Sequence, residues 1–194
     1  MITDRTLTVL HHTLDQAQQA VDSYTDTLQA SEPTMHGFID EIALLVESEP
    51  DLRTLARVLP GEGWEQFNEA RDVVRTGPIA SRYEVQYTFF RHPDKPWRLE
   101  VMKIVGGVSP LHEAIRPPLG GELCVPVHAS FKTADEEQYA HAVGVLQEGG
   151  FELAQRCDST YGRFSYWINV GRVNRVPYLK PRVNLRDSAQ SAIF

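Results

Sequence analysis

The chain has 194 residues, 26 acids against 19 bases for a formal net charge of −7, and 42% hydrophobic residues, enough for a real core in one large domain or two small ones. Its longest aliphatic run, residues 42–46, is far short of the about 20 apolar residues that a membrane span needs, and no basic-then-apolar export signal opens it. Two cysteines, Cys124 and Cys157, make neither a disulfide framework nor a CxxC knuckle, so a reduced, cytoplasmic setting is the expectation.

Leu7, Leu10, Leu14, Ala17, Val21, Tyr24 and Leu28 recur in steps of three and four and predict one helix with a single apolar stripe. Thr3 or Asp4 can cap its start, and Ser31-Glu32-Pro33 stops it. The stripe can pack on the body of the same chain or form the seam of a homodimer through the N-terminal helix; Ala17 and Tyr24 suit the first better. A strand is expected at 38–46 (FIDEIALLV), then Ser48 as a helix cap and a helix with Leu52, Leu55, Val58 and Leu59 on one face, ended by Pro60-Gly61. Three strands follow near 65–74, 82–90 and 97–105. A linker with a short helical turn opened by Ser109-Pro110 leads to a second series. That series starts with a strand at 125–132 and a capping box of Thr133 and Glu136. Its helix turns Tyr139, Ala142, Val143 and Leu146 inward, and strands follow near 152–157, 162–170 and 176–185.

The two series share an offset of 87 residues, which pairs Glu41 with His128, Ala43 with Ser130, Leu59 with Leu146, Gly63 with Gly150 and Trp64 with Phe151. A constant spacing of this kind marks a duplicated unit. The expected fold class is α+β: an N-terminal helix (1–34), a βαβββ module (35–105), a linker with a short helix (106–122), a second βαβββ module (123–187) and a tail (188–194).

Paired βαβββ modules with IDEIALLV as first strand resemble the vicinal oxygen chelate superfamily, which includes glyoxalases, extradiol dioxygenases and fosfomycin-resistance proteins. The order of landmarks is most similar to YecM-type proteins: N-terminal helix, IDEIALLV, Trp97 at the fourth strand, a Pro/Gly-rich linker, a His-bearing strand and a last strand with Tyr178-Leu179-Lys180-Pro181. That resemblance implies eight strands curled into a half-open cup around a divalent metal, with ligands from the first and last strands of each module. Glu41 stands where the family has histidine, Lys180 stands before proline where YecM-type proteins have histidine, and the acidic position of the fourth strand falls on Glu100 or Lys103. His128 is the plain match.

Alternation puts Glu41, Ala43 and Leu45 on one strand face and His128, Ser130 and Lys132 on the corresponding face of the second copy. If Leu99 and Val101 pack under helices, Glu100 points into the cup. Glu41, Glu100 and His128 would then be a ligand set for Mn²⁺, Fe²⁺ or Zn²⁺. The other reading of these residues is ion pairing of Glu41 with Lys103 or Lys180 and no metal. On the last strand Tyr178, Lys180, Arg182 and Asn184 share one face. They read either as a wall that binds a carboxylate or phosphate, with Lys103 as a further contact, or as a solvated edge.

Tyr83, Val85, Tyr87 and Phe89 alternate on one strand, and Phe164, Tyr166 and Ile168 on another, either as core or as a platform for a planar ligand. His112-Glu113 lacks the second histidine of a zinc helix and reads as loop decoration. The acidic balance argues against nucleic acid as partner, although residues 158–187 enclose six bases and no internal acid. The expected activity is binding of a small anionic or oxygen-rich molecule, as a metal-dependent lyase, isomerase or dioxygenase or as a metal-free, non-enzymatic binding or interaction protein.

Overall fold

The computed structural model describes residues 4–31, 39–77, 81–115, 123–171 and 176–184. The elements are α1 (Asp4–Ser31), β1 (Glu41–Leu45), α2 (Glu49–Val58), β2 (Glu65–Gly77), β3 (Ser81–Arg91) and β4 (Arg98–Gly107). After them come α3 (Pro110–Ala114), β5 (Val125–Thr133), α4 (Glu136–Glu148), β6 (Phe151–Asp158), β7 (Gly162–Asn169) and β8 (Tyr178–Asn184). The strands pair in the order β1-β4-β3-β2-β6-β7-β8-β5 and close on themselves, so β1 to β4 make one unbroken half of the ring and β5 to β8 the other. In each half the first strand pairs in parallel with the last, β1 with β4 and β5 with β8. β1 meets β5 antiparallel across one seam, and β2 meets β6 across the other.

The half-open cup is therefore corrected to a closed barrel. The physical reason lies in β2, which continues beyond its predicted end at Val74. Arg75, Thr76 and Gly77 are the residues that pair with Asp158, Cys157 and Arg156 of β6.

The duplication has structural counterparts. Ser48 caps α2 by accepting the amide hydrogen of Asp51, and Asp135 caps α4 by accepting that of Gln138. These two caps are again 87 residues apart. Gly63 and Gly150, at the same offset, leave their helices with φ of 84° and 79°, a left-handed turn that glycine adopts without a Cβ clash. The predicted capping box fails, because Thr133 still belongs to β5 and gives its hydroxyl to the carbonyl of Arg182.

Two cores result. Between the barrel wall and the helices lie Leu10, Ala17, Val21, Tyr24 and Leu28 of α1, the apolar face of α2, and Ile42, Leu44, Leu99 and Val101 of the strands. The α1 stripe is thus spent on the chain's own body, and Tyr24 also donates to the carbonyl of Val176 at 2.8 Å. Inside the barrel lie Ala43, Leu45, Val85, Met102, Val127, Phe164 and Tyr166. Burial of large side chains on both faces of one sheet explains why its strands carry few exposed apolar groups.

Candidate functional site

Strand alternation aims Glu41 of β1, Arg98 and Glu100 of β4, His128 of β5, and Lys180 and Arg182 of β8 into one end of the barrel. Leu99 and Val101 sit under the helices, so Glu100 between them faces inward. Glu100 pairs with Ala43 as Lys180 pairs with Ser130, and Ala43 and Ser130 are themselves 87 residues apart. Glu41 and His128 are related by the same offset. The site is therefore a four-cornered set, Glu41 and Glu100 from one half and His128 and Lys180 from the other. All four are buried.

Glu41, Glu100 and His128 each offer a ligand atom, and the three atoms lie within 4.8 Å of one another, close enough for a metal ion. The ammonium of Lys180 stands among the same groups, 3.1 Å from His128 Nε2 and 3.6 Å from Glu41 Oε1. It also lies 4.8 Å from the centre of the Phe164 ring. Ser130 Oγ donates to the carbonyl of Lys180 at 2.9 Å and fixes the backbone from which the ammonium reaches in.

Cations surround Glu41. Arg98 donates from Nε to Oε2 at 2.9 Å and again from Nη2, and Arg182 Nη2 stands 3.9 Å from the same oxygen. Arg182 is held in a two-pronged pair with Asp40, at 3.1 and 2.8 Å. Burial alone would raise the pKa of Glu41, but Arg98, Arg182 and Lys180 together hold its carboxyl well below the usual range. Glu100 goes the other way: burial, and then the charge of Glu41, push it up to about 8. At neutral pH Glu100 is therefore a neutral acid hydrogen-bonded to Glu41. That proton supplies the donor that Glu41 Oε1 and Glu100 Oε1 otherwise lack. Burial and Lys180 hold His128 down at about 3, so the ring is neutral. With Lys180 charged, Nε2 accepts from the ammonium, and the ring proton then falls on Nδ1, a buried nitrogen with no hydrogen-bond partner among the described residues.

Glu41, Glu100, His128, Tyr178, Lys180 and Arg182, all singled out from the sequence, face the barrel interior. Tyr178 packs edge-on against Tyr166 at 5.9 Å. Lys103 does not join them; its Nζ binds Glu49 of α2 at 3.2 Å on the outer side of the sheet. Of the two ion-pair partners expected for Glu41, only Lys180 is in place. The bases of the C-terminal stretch divide: Lys180 and Arg182 point inward, while Arg163 pairs with Asp158 and Glu136 on the surface. Arg172, Arg175 and Arg186, and the side chain of Asn184, lie outside the described residues.

Sequence reasoning missed Arg98, Asp40 and His112. Arg98 was findable, since it lies two residues before Glu100 and therefore on the same strand face. His112 is no loop decoration. It is buried inside the barrel, its Nδ1 2.6 Å from Ser109 Oγ, and burial followed by Lys180 holds it at about 3. Cys124 and Cys157 are buried and not joined in a disulfide, and burial pushes the Cys157 thiol up to about 12.

No protein-family profile matches the chain, and no curated protein matches it. Among solved structures, methylmalonyl-CoA epimerase from Mycobacterium tuberculosis is similar at 11% identity and TM-score 0.48, over 83% of this chain and 99% of that one. Methylmalonyl-CoA epimerase from Streptomyces coelicolor gives 12% and 0.41 over 76% and 96%. A glyoxalase family protein from Bacillus cereus gives 17% and 0.26 over 76% and 93%. No helix among the described residues is long and apolar enough to cross a membrane.

Proposed function

We propose that this chain is a vicinal-oxygen-chelate-type protein that binds a small anionic or oxygen-rich ligand at the Glu41 end of its barrel. What carries the reading is the charge lining a small cavity there. Arg98, Lys180 and Arg182 face the acids Glu41 and Asp72, while burial keeps Glu100 protonated near neutral pH. The cavity measures about 60 Å³, so it admits a carboxylate- or phosphate-sized head group and leaves the rest of the ligand at the rim. Tyr87, Phe89 and Phe164 supply the apolar part of its wall.

Titration calorimetry with a panel of small mono- and dicarboxylates, 2-oxo acids and phosphate esters tests this. At least one class is expected to bind, and Lys180→Met should weaken it by roughly 10- to 100-fold, the worth of one charge-assisted hydrogen bond. A panel with no binder at millimolar concentration would overturn the reading.

The close spacing of Glu41, Glu100 and His128 favours a second reading, a Mn²⁺, Fe²⁺ or Zn²⁺ site in a lyase, isomerase or dioxygenase. The YecM-type order of landmarks points the same way. When bound, the ion would supply Lewis-acid stabilisation of developing negative charge, and Arg98, Lys180 and Arg182 would orient the ligand. Elemental analysis of protein purified without chelator is expected to find about one ion per chain if this second reading holds.

A further inference from the structure

We propose that the ammonium of Lys180 is a built-in cation that fills the position between Glu41, Glu100 and His128, so that the native chain takes no divalent ion there. The ligand's oxygen then meets an N–H of lysine. This deepens the ligand-binding reading and rests on it only for the last point.

Three observations converge. The first is occupancy of the donors. His128 Nε2 and Glu41 Oε1, two of the atoms a metal would use, already lie 3.1 and 3.6 Å from Nζ. An ion bound to them at about 2.0–2.2 Å would fall within contact of the ammonium. The second is charge. Glu41 already has Arg98 hydrogen-bonded to it and Arg182 3.9 Å away, so an added dication would enter a shell holding three fixed positive charges. The third is the symmetry of the barrel. Lys180 is the register counterpart of Glu100, so it stands at the fourth corner of the set by construction of the fold and not by a chance side-chain excursion. Phe164 lies over the ammonium at 4.8 Å, and the Ser130 hydroxyl binds the Lys180 carbonyl, which hold the group in that corner.

The test titrates wild type, Lys180→Ala and Lys180→Leu with Co²⁺ and with Zn²⁺, following heat and the Co²⁺ absorption spectrum, with thermal unfolding alongside. Wild type is expected to show no saturable uptake. Each variant is expected to take one ion per chain, at least on the order of 100-fold tighter than wild type because a like charge has been removed. Bound ion should raise the variant's Tm, and His128→Ala added to Lys180→Ala should abolish uptake. One ion per chain on wild type would overturn the proposal, and so would a folded Lys180 variant that binds none.

Wild type alone carries a further readout that needs no variant to fold. ¹⁵N-edited NMR of the histidine rings should find His128 neutral, protonated on Nδ1, with Nε2 accepting from the Lys180 ammonium. An Nε2–H tautomer would overturn the proposal. Failure to find an organic ligand would count against the ligand-binding reading and leave these metal and tautomer results untouched.

Discussion

At the scale of single residues, the barrel interior separates charges of different worth. Arg98 gives two hydrogen bonds to Glu41, and both side chains are largely out of water. Arg98→Met would leave Glu41 buried with one fewer cation. Lys180 and Arg182 still stand beside Glu41, so the loss is that of a hydrogen bond to a charged group, about 1.5–3 kcal/mol, which urea unfolding should read. Lys103 pairs with Glu49 at 3.2 Å, but on the outer side of the sheet, with the Glu49 side chain 39% exposed. Lys103→Ala should cost under about 1 kcal/mol, as surface pairs do. The contrast matters because Lys103 and Glu100 are alternative alignments of one sequence position. Alternation settles it: Leu99 and Val101 are outside, so Glu100 and Met102 are inside and Lys103 is out.

At the scale of elements, the parts legible in the sequence are those governed by local chemistry. The 3.6-residue stripe of α1, the Ser48 cap and the inward set on β8 follow from periodicity and backbone sterics, whereas the helix stop expected at Pro60-Gly61 comes at Gly63, after a 3₁₀ turn over Leu59–Glu62. Barrel closure was not legible, because it depends on which strand edges meet, and the three residues of β2 that reach β6 carry no sign of their partner. The cap of α4 was misplaced by two residues for a related reason. Thr133 satisfies its hydroxyl on Arg182 of the neighbouring strand, a contact no local pattern announces. Asp135 therefore takes the cap, and accepts from Gln138 at 2.8 Å. Asp135→Ala and Ser48→Ala should each lower stability by about 1 kcal/mol in urea unfolding, the usual worth of a cap. Glu136→Ala should cost distinctly less than Asp135→Ala, as it would not if Thr133 and Glu136 formed the box.

At the scale of the whole molecule, the buried groups impose a pH profile. His112 and His128 have folded values near 3 against an ordinary 6.5. Between those limits the unfolded chain binds two more protons than the native one, so stability climbs as pH rises toward 6.5. Glu100 has a folded value near 8 against an ordinary 4.5, so over that window the native chain holds a proton that the unfolded chain has lost. Its contribution therefore falls as pH rises and is gone above about 8. From 4.5 to 6.5 the two rings outweigh the one carboxyl, while above 6.5 only Glu100 still titrates among these groups. Glu41, held low by its arginines and Lys180, adds to the loss at the acid end as pH drops below its ordinary 4.5. Stability should thus peak near pH 6.5 and decline toward pH 8 by roughly 1 kcal/mol per pH unit, the linkage slope for one proton. Urea midpoints measured between about pH 4 and pH 9 check this. Glu100→Gln, which keeps the neutral shape and cannot ionise, should abolish the alkaline decline and leave the acid limb in place. A decline that persisted in Glu100→Gln would place the responsible proton on another group, and a wild type flat from 6.5 to 8 would mean that Glu100 is ionised in the native barrel.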